Sequence, residues 1–429
     1  NDLKNIAIFM TRFLCYRNKG MDDFFDKNYT PKLRNINIII RKGNISRKEL
    51  AEITGLGKPT ITNIVNELLE LDIVEECEKP RTWGERKTKG LTLKTRSIKI
   101  LSARWIRTYF KVAIFTLSGE VIDSEECEVS TEEDIWQTTD RILNTIDSLL
   151  LRHDRKEILG MCIGVPGPYL RCSEMNKAIV NGYERLKEID VQKFFEDRYD
   201  FSVITEHDAH LSAFGEWESM DEEKQDHCKC MLALQSVGIG IGAGIILNGK
   251  IVEGAFGIAG EIGQLGIYFN GPENTYGRRG TLEYYASSAS VKRYISERMC
   301  DFPESKLSEE STYEEIVNAY YEKDPLATWA FDILAWRLAY GLADTIFVIN
   351  PDEIIIGPDY PISERFIGKI RTSLEGMVNR EIGDKIKIRY SAFEEDTTLI
   401  GGYYFTLDHF INERTLYERV KEMMSEKKK

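Results

Sequence analysis

Two carboxylates, Glu261 and Glu283, bracket the stretch GEIGQLGIYFNGPENTYGRRGTLE, a glycine-dotted loop that holds neither cysteine nor histidine. A third acid, Asp208, follows His207 in FSVITEHDAHLSAFGEW, where a strand-like run passes through a polar turn into a helical pattern. Carboxylates at such a strand end can grip the hydroxyls of a ligand or take a proton from one. A glycine loop (Gly238, Gly240, Gly242, Gly244) lies between two further strand patterns. Near the N-terminus the chemistry is different. Lys58, Thr60, Thr62, Asn63 and Asn66 share one face of a helical pattern, the short hydrogen-bonding set that a major-groove reading helix needs. The eight cysteines show no CxxC spacing, and HCKC (His227–Cys230) is read as a loop entering a strand, because CxC with one histidine is not a zinc spacing.

Residues 28–96 must build the platform for that basic face. ISRKELAEITGLGKPTITNIVNELLE predicts two helices. Ser46 and Glu49 form a capping box for the first, and Gly55 and Gly57 mark the turn. Pro59 is tolerated in the first turn of the second helix. Ile61, Ile64, Val65, Leu68 and Leu69 make its buried stripe. An earlier helix over residues 31–42 adds Leu33, Ile36, Ile39 and Ile40 to the core. After Glu76, KPRTWGERKTKGLTLKTR predicts a hairpin wing with Arg81, Arg86 and Lys87 near its tip. Those cations, with Arg47 and Lys58, are candidates for DNA contact.

From about Ile98 strands and helices alternate, as in an α/β fold. KVAIFTLSGEVIDSEECEV predicts two strands joined by a Ser-Gly-Glu turn, and residues 131–152 predict an amphipathic helix. EILGMCIGVPGP predicts a buried strand ending in a Gly/Pro loop; Asn248-Gly249 predicts a type I′ hairpin. Polar residues gather at strand ends, where such folds place ligand sites.

The totals agree with this division. A chain of 429 residues exceeds one ordinary core. The net charge of −13 is unevenly spread: residues 28–96 hold 14 Lys+Arg and 9 Asp+Glu, so they carry +5 and the remainder −18. A basic module on an acidic protein points to a polyanionic partner. No apolar run reaches the roughly 18 residues of a membrane helix, and Arg12 interrupts IAIFMTRFLCY. Together with unpaired cysteines this predicts a cytoplasmic protein that does not engage membranes.

Taken in order, ISRKELAEITGLGKPTITNIVNELLELDIVEE, GVPGP, EHDAH, GIGIGAGIILNGK, GEIGQ and INPDEIIIGP resemble the transcriptional repressors of the ROK family. The resemblance spans about residues 28–410. It implies an N-terminal winged helix-turn-helix followed by an actin-like, two-lobed sugar-kinase fold, with a homodimer or homotetramer as the working unit. The implied divisions are an extension (1–27), the winged helix (28–96), a small lobe (97–205) and a large lobe (206–429) whose C-terminal segment is free to return to the small one. By resemblance, Asp208 occupies the kinase base position, with His207 replacing an asparagine; Asn181, Glu261, Gln264 and Glu283 complete a site for a sugar or sugar phosphate.

The same resemblance marks two losses. The family's kinases carry an Asp-x-Gly-Gly-Thr turn for nucleotide phosphates; here the stretch is LSARWIRTYFKVAIF, with Trp105 and Ile106 about where the glycines belong. The family's zinc site uses one histidine and three cysteines, and Gln264, Asn274, Tyr276 and Thr281 stand in their places. Neutral amides, a phenol and a hydroxyl make a poor zinc site. The expectation is therefore a sugar-responsive repressor binding operator DNA, not an enzyme, with neither ATP nor zinc. The alternatives are a vestigial or bifunctional sugar kinase, and a sugar-blind regulator answering to a protein partner.

Overall fold

The computed structural model describes residues 39, 44–70, 74–78, 89–94, 98–172, 175–180, 182–236, 240–393 and 396–412. The predicted helix over 31–42, apart from the buried Ile39, the wing-tip residues Arg81, Arg86 and Lys87, and Asn181 and Gly238 lie outside the described residues.

The basic module begins with β1 (Ile45–Ser46), α1 (Arg47–Thr54) and α2 (Lys58–Glu70), followed by the wing strands β2 (Val74–Glu78) and β3 (Lys89–Leu93). The Ser46 hydroxyl accepts from the Glu49 backbone N–H while the Glu49 carboxylate returns to the Ser46 backbone, so the capping box forms. Gly55 ends α1 with a left-handed φ of 68°, a conformation that glycine adopts without Cβ strain. Leu50, Ile61, Ile64, Val65 and Leu68 meet Val74, Leu91 and Leu93 in one core. Glu76 on β2 accepts from both Arg47 (2.7 Å) and Lys89 (2.5 Å), tying the helical pair to the wing.

Two five-stranded sheets follow. The first holds β4 (Lys99–Trp105), β5 (Tyr109–Thr116), β6 (Val121–Glu128), β7 (Ile158–Val165) and β10 (Ser202–His207), in the order β10-β7-β4-β5-β6. Between β7 and β10 the chain forms the small hairpin β8 (Tyr169–Leu170) and β9 (Lys177–Ala178). The second sheet is β13-β12-β11-β14-β15, from β11 (Cys230–Gln235), β12 (Gly242–Leu247), β13 (Lys250–Ile251), β14 (Glu353–Ile356) and β15 (Lys387–Tyr390). Each sheet is an antiparallel meander whose first strand is extended by two parallel strands. The same topology thus occurs twice, and the parallel strands of both copies end at a shared crevice. β7 is buried at every position, as a strand covered on both faces must be.

Helices cover the sheets. α3 (Ile135–Leu151) starts later than the sequence pattern suggests, because Asp134 caps it by accepting from the Trp136 N–H. α4 (Asp208–Glu218) leaves β10 directly into the crevice, and α5 (Leu282–Ala286) closes the glycine-rich loop. The long α6 (Pro325–Ile349) backs the second sheet. α7 (Thr397–Asn412) returns to pack on α4, β4 and β7. That crossing is close: a Cβ at Gly401 would lie 1.8 Å from the Leu211 carbonyl oxygen, so only glycine fits. Asn248-Gly249 forms the predicted turn, with φ of 50° and 76°.

Candidate functional site

The crevice between the two sheets is a cleft of about 560 Å³, mouth included. Its walls bring together five of the six sequence-predicted ligand residues, His207, Asp208, Glu261, Gln264 and Glu283, and add Arg107, Gln235 and Tyr276. Asp208 is the first residue of α4, at the carboxyl end of parallel strand β10. His207 Nε2 lies 3.3 Å from Asp208 Oδ1 and 3.8 Å from Glu261 Oε1. Burial pulls the His207 pKa down to about 3, so the imidazole is neutral near pH 7.

Glu261 is held by its backbone. Gly260 has φ of +90°, and a Cβ there would sit 2.0 Å from the Ala243 carbonyl oxygen. His210 secures the same turn from below, with Nε2 2.8 Å from the Ala259 carbonyl and Nδ1 3.1 Å from Glu206. Both acceptors favour the doubly protonated ring, and although burial opposes it the His210 pKa is raised. Burial, reinforced by Glu283 and Asp208, lifts the Glu261 carboxyl to about 8. Its Oε1 and the Nδ1 of His207 are both buried without a hydrogen-bond partner in the protein. Glu283, raised mainly by burial, accepts from the Ile241 backbone N–H at 3.3 Å. Sequence reasoning missed His210; its i,i+4 spacing from Glu206 was the available signal.

The region expected to meet phosphates differs from the sequence reading in one respect. Trp105 is the last residue of β4, fully buried against Phe110, and does not belong to the turn. The turn is Ile106-Arg107-Thr108, closed by the Ile106 N–H donating to the Tyr109 carbonyl at 2.9 Å. With Thr108 matched to the threonine of Asp-x-Gly-Gly-Thr, Ile106 and Arg107 replace the glycines and Arg104 replaces the acid. The strand register settles only that Trp105 belongs to β4, paired with Phe110.

Arg104 is buried beneath the cleft. Its guanidinium donates to Asp396 Oδ1 (3.1 Å), Gln235 Oε1 (3.3 Å) and Asp208 Oδ2 (3.4 Å). A fixed internal cation therefore gathers groups from both sheets. It also engages the carboxylate that the kinase reading would leave free to accept a proton. Asp208 itself is pushed up by burial, with Arg104 opposing the shift. A third acid nearby, Asp359, is lifted to about 6 by burial. Ile106 and Arg107 place side chains at the cleft wall and Arg104 a guanidinium beneath it, an arrangement unlike the bare glycine backbone that approaches nucleotide phosphates.

The expected zinc positions are equally altered. Gln264 Oε1 accepts from Asn274 Nδ2 at 2.8 Å, Thr281 is buried in a bridge with Gly266, and Tyr276 donates to the Ile179 carbonyl at 3.0 Å. An amide pair bonded to itself, a phenol and a hydroxyl do not fit zinc. Among the described residues no group of three or more His, Cys, Asp or Glu is arranged to hold a metal.

In the basic module, Lys58, Thr60, Thr62, Asn63 and Asn66 all lie exposed on α2, opposite its buried stripe. The Thr62 hydroxyl donates to the Lys58 carbonyl at 2.9 Å. Arg47 is turned toward Glu76 and is about one-third exposed, so its charge is shared with the wing. No helix among the described residues is long and apolar enough to cross a membrane.

Comparison with known proteins covers both parts. A model of winged helix-turn-helix DNA-binding domains matches residues 36–75. The xylose repressor of Bacillus subtilis is 25% identical over 399 residues, covering 92% of this chain and 99% of the relative. A glucokinase of Halalkalibacterium halodurans is 27% identical over 308 residues, covering 69% of this chain and 91% of the relative. Among solved structures, a ROK-family transcriptional regulator described as a homologue of the Escherichia coli MLC protein superposes with a TM-score of 0.74. It is 24% identical and covers 91% of this chain and 98% of its own. The ROK-family model matches residues 105–409, most of the chain and nearly all of the two-sheet body around the cleft; the chain belongs to the ROK family.

Proposed function

We propose that this chain is a DNA-binding transcriptional repressor whose operator affinity is set by a small sugar or sugar phosphate bound between the two sheets. One observation carries the ligand reading. Glu261 Oε1 and His207 Nδ1 are buried in the cleft without protein partners, and buried polar atoms are rarely left so without a ligand or water to satisfy them. Asp208, Gln264 and Glu283 complete a wall of acceptors and donors suited to hydroxyls, with Asn181 assigned to the same site by resemblance. The name of the Bacillus subtilis relative makes D-xylose the first sugar to try. Binding would favour one arrangement of the lobes and act on DNA through its differential affinity for the two.

On the DNA side, Lys58, Thr60, Thr62 and Asn63 enter the major groove. Arg47 and the wing residues Arg81, Arg86 and Lys87 hold the backbone. A homodimer supplies the second half-site reader. The exposed stripe of Trp336, Tyr340 and Phe347 on α6 suits contact with a second copy. The proposed divisions remain 28–96 for DNA, 97–205 and 206–429 for the lobes, with α7 completing the first. The protein acts in the cytoplasm, with no enzyme activity and with neither zinc nor ATP.

The test is a thermal-shift panel of free and phosphorylated monosaccharides on wild type and Glu261→Ala, beside an operator-binding assay at several salt concentrations. Ligand that binds the folded state raises its stability by mass action. A sugar that stabilises wild type but not the variant, and changes operator affinity, supports the reading. Loss of all preference for operator over random DNA sinks it. The kinase alternative is motivated by the retained Asp208; sugar-dependent ATP turnover abolished by Asp208→Asn would favour it.

A further inference from the structure

Gln264, Asn274 and Tyr276 stand where the family resemblance puts zinc ligands, and hydrogen bonds join them instead of a metal. Gln264 hydrogen-bonds the Glu283 carboxylate, and its Oε1 accepts from Asn274 Nδ2 at 2.8 Å. Asn274 Oδ1 accepts from the backbone N–H groups of Tyr276 and Arg278, each at 3.0 Å. The loop tip so fixed aims Tyr276 across the cleft, where its hydroxyl donates to the Ile179 carbonyl at 3.0 Å. Ile179 follows β9, in the β7–β10 connection of the first lobe; Glu283, Gln264, Asn274 and Tyr276 belong to the second. The relay therefore starts at a cleft acid and ends on the opposite lobe.

We propose that Asn274 and Tyr276 are positioning residues that couple occupancy of the cleft to the grip between the lobes. This rests on the sugar reading above. Gln264, Tyr276 and Glu283 line the cleft, whereas Asn274 does not. A ligand hydroxyl arriving at Glu283 meets the Gln264 amide at the same carboxylate. That amide cannot swing without releasing Asn274, and Asn274 sets the turn that carries Tyr276. The Asn274–Gln264 bond is part-buried and the bonds at Tyr276 and Arg278 are exposed, so the relay acts through the geometry of the turn that carries Tyr276. A zinc ion would brace this loop irrespective of ligand; a chain of side-chain bonds braces it conditionally.

The test compares wild type with Asn274→Asp, Tyr276→Phe and the double variant. Asn274→Asp keeps the acceptor for the turn and replaces the donor to Gln264 with a carboxylate oxygen that repels the Gln264 Oε1; Tyr276→Phe removes only the hydroxyl. Calorimetric titration uses D-xylose, D-glucose and N-acetyl-D-glucosamine as probes. For a sugar that binds wild type, each single variant is expected to weaken binding about 5- to 10-fold. The double variant should lose no more than either single one, because both cut the same relay. Asn274→Asp binding within twofold of wild type, or losses that multiply, overturns the proposal. If no sugar binds wild type, the sugar reading fails on its own, and amide hydrogen exchange decides the relay. At least fivefold faster exchange over residues 177–180 in both single variants, with β11 unchanged, supports it; exchange equal to wild type overturns it.

Discussion

Replacing Glu261 by glutamine should flatten the pH dependence of stability and leave the fold intact. The carboxyl is lifted from its ordinary 4.5 to about 8, first by burial and then by Glu283 and Asp208, with His210 opposing. A carboxyl raised on folding binds its proton more tightly in the folded chain than in the unfolded one. Its contribution is therefore full below the ordinary value and lost as pH climbs through the folded value. The interval from 4.5 to about 8 is roughly 3.5, and at about 1.4 kcal/mol per pH unit it sets a ceiling of about 5 kcal/mol. Partial access of water to the cleft reduces this to about 3–5 kcal/mol. Urea unfolding of wild type and Glu261→Gln from pH 5 to 9 reads the difference. Asp359, Glu283 and Asp208 titrate in both proteins, so their contributions largely cancel. The curves should lie close at pH 5 and separate as pH rises, with the variant the more stable at pH 9. Parallel curves with a constant offset would refute the reasoning, because they would mean that Glu261 is already ionised in the folded cleft.

Four further perturbations follow, two at the cleft and two on α2. Arg104→Leu leaves Asp208 and Asp396 buried without their cation and should cost about 3–5 kcal/mol by urea unfolding; a cost below about 1 kcal/mol would show that the acids are neutral without it. Gly260→Ala forces a Cβ to within 2.0 Å of the Ala243 oxygen at φ of +90°, so it should cost more than about 2 kcal/mol and abolish any sugar-induced thermal shift. In DNA titrations, Lys58→Ala should reduce the slope of log K against log salt by about 1. Asn63→Ala should leave that slope unchanged and lose about 1–3 kcal/mol of preference for operator over random DNA.

Much of the architecture is legible because it is written in local rules. The Ser46–Glu49 capping box, the Ile61–Leu68 stripe and the Asn248-Gly249 turn each depend on residues a few positions apart. The cleft acids are legible only through the ordered motifs, since nothing near Glu261 or Glu283 in the chain says that both approach Asp208. Arg104 is the clearest residue that a linear reading passes over. Within LSARWIRTYF it is one cation among others; its meaning comes from Asp396 and Gln235, which lie 292 and 131 residues away. The misplacement of Trp105 has a related cause. Strand and turn residues alternate in a pattern that the sequence leaves free to slide by one position, and only the pairing of Trp105 with Phe110 fixes it.

The two departures from the kinase pattern have one physical consequence in common. In the phosphate region, the Arg104 guanidinium places permanent positive charge between the buried acids Asp208 and Asp396, charge that a metal ion would bring only while bound. In the loop from Gly260 to Glu283, an amide pair and a phenol supply cross-links that zinc would otherwise provide. Both exchanges replace diffusible ions with side chains that cannot leave. Arg104 also engages the Asp208 carboxylate, which a kinase would need free to accept a proton. In the proposed regulator, such fixed charge keeps the electrostatics of the cleft constant and leaves the lobe arrangement to the ligand. Glu261 and His207 keep the only cleft-lining side-chain atoms found buried without a partner among the described residues, and these are the atoms that the hydroxyls of the proposed sugar would meet.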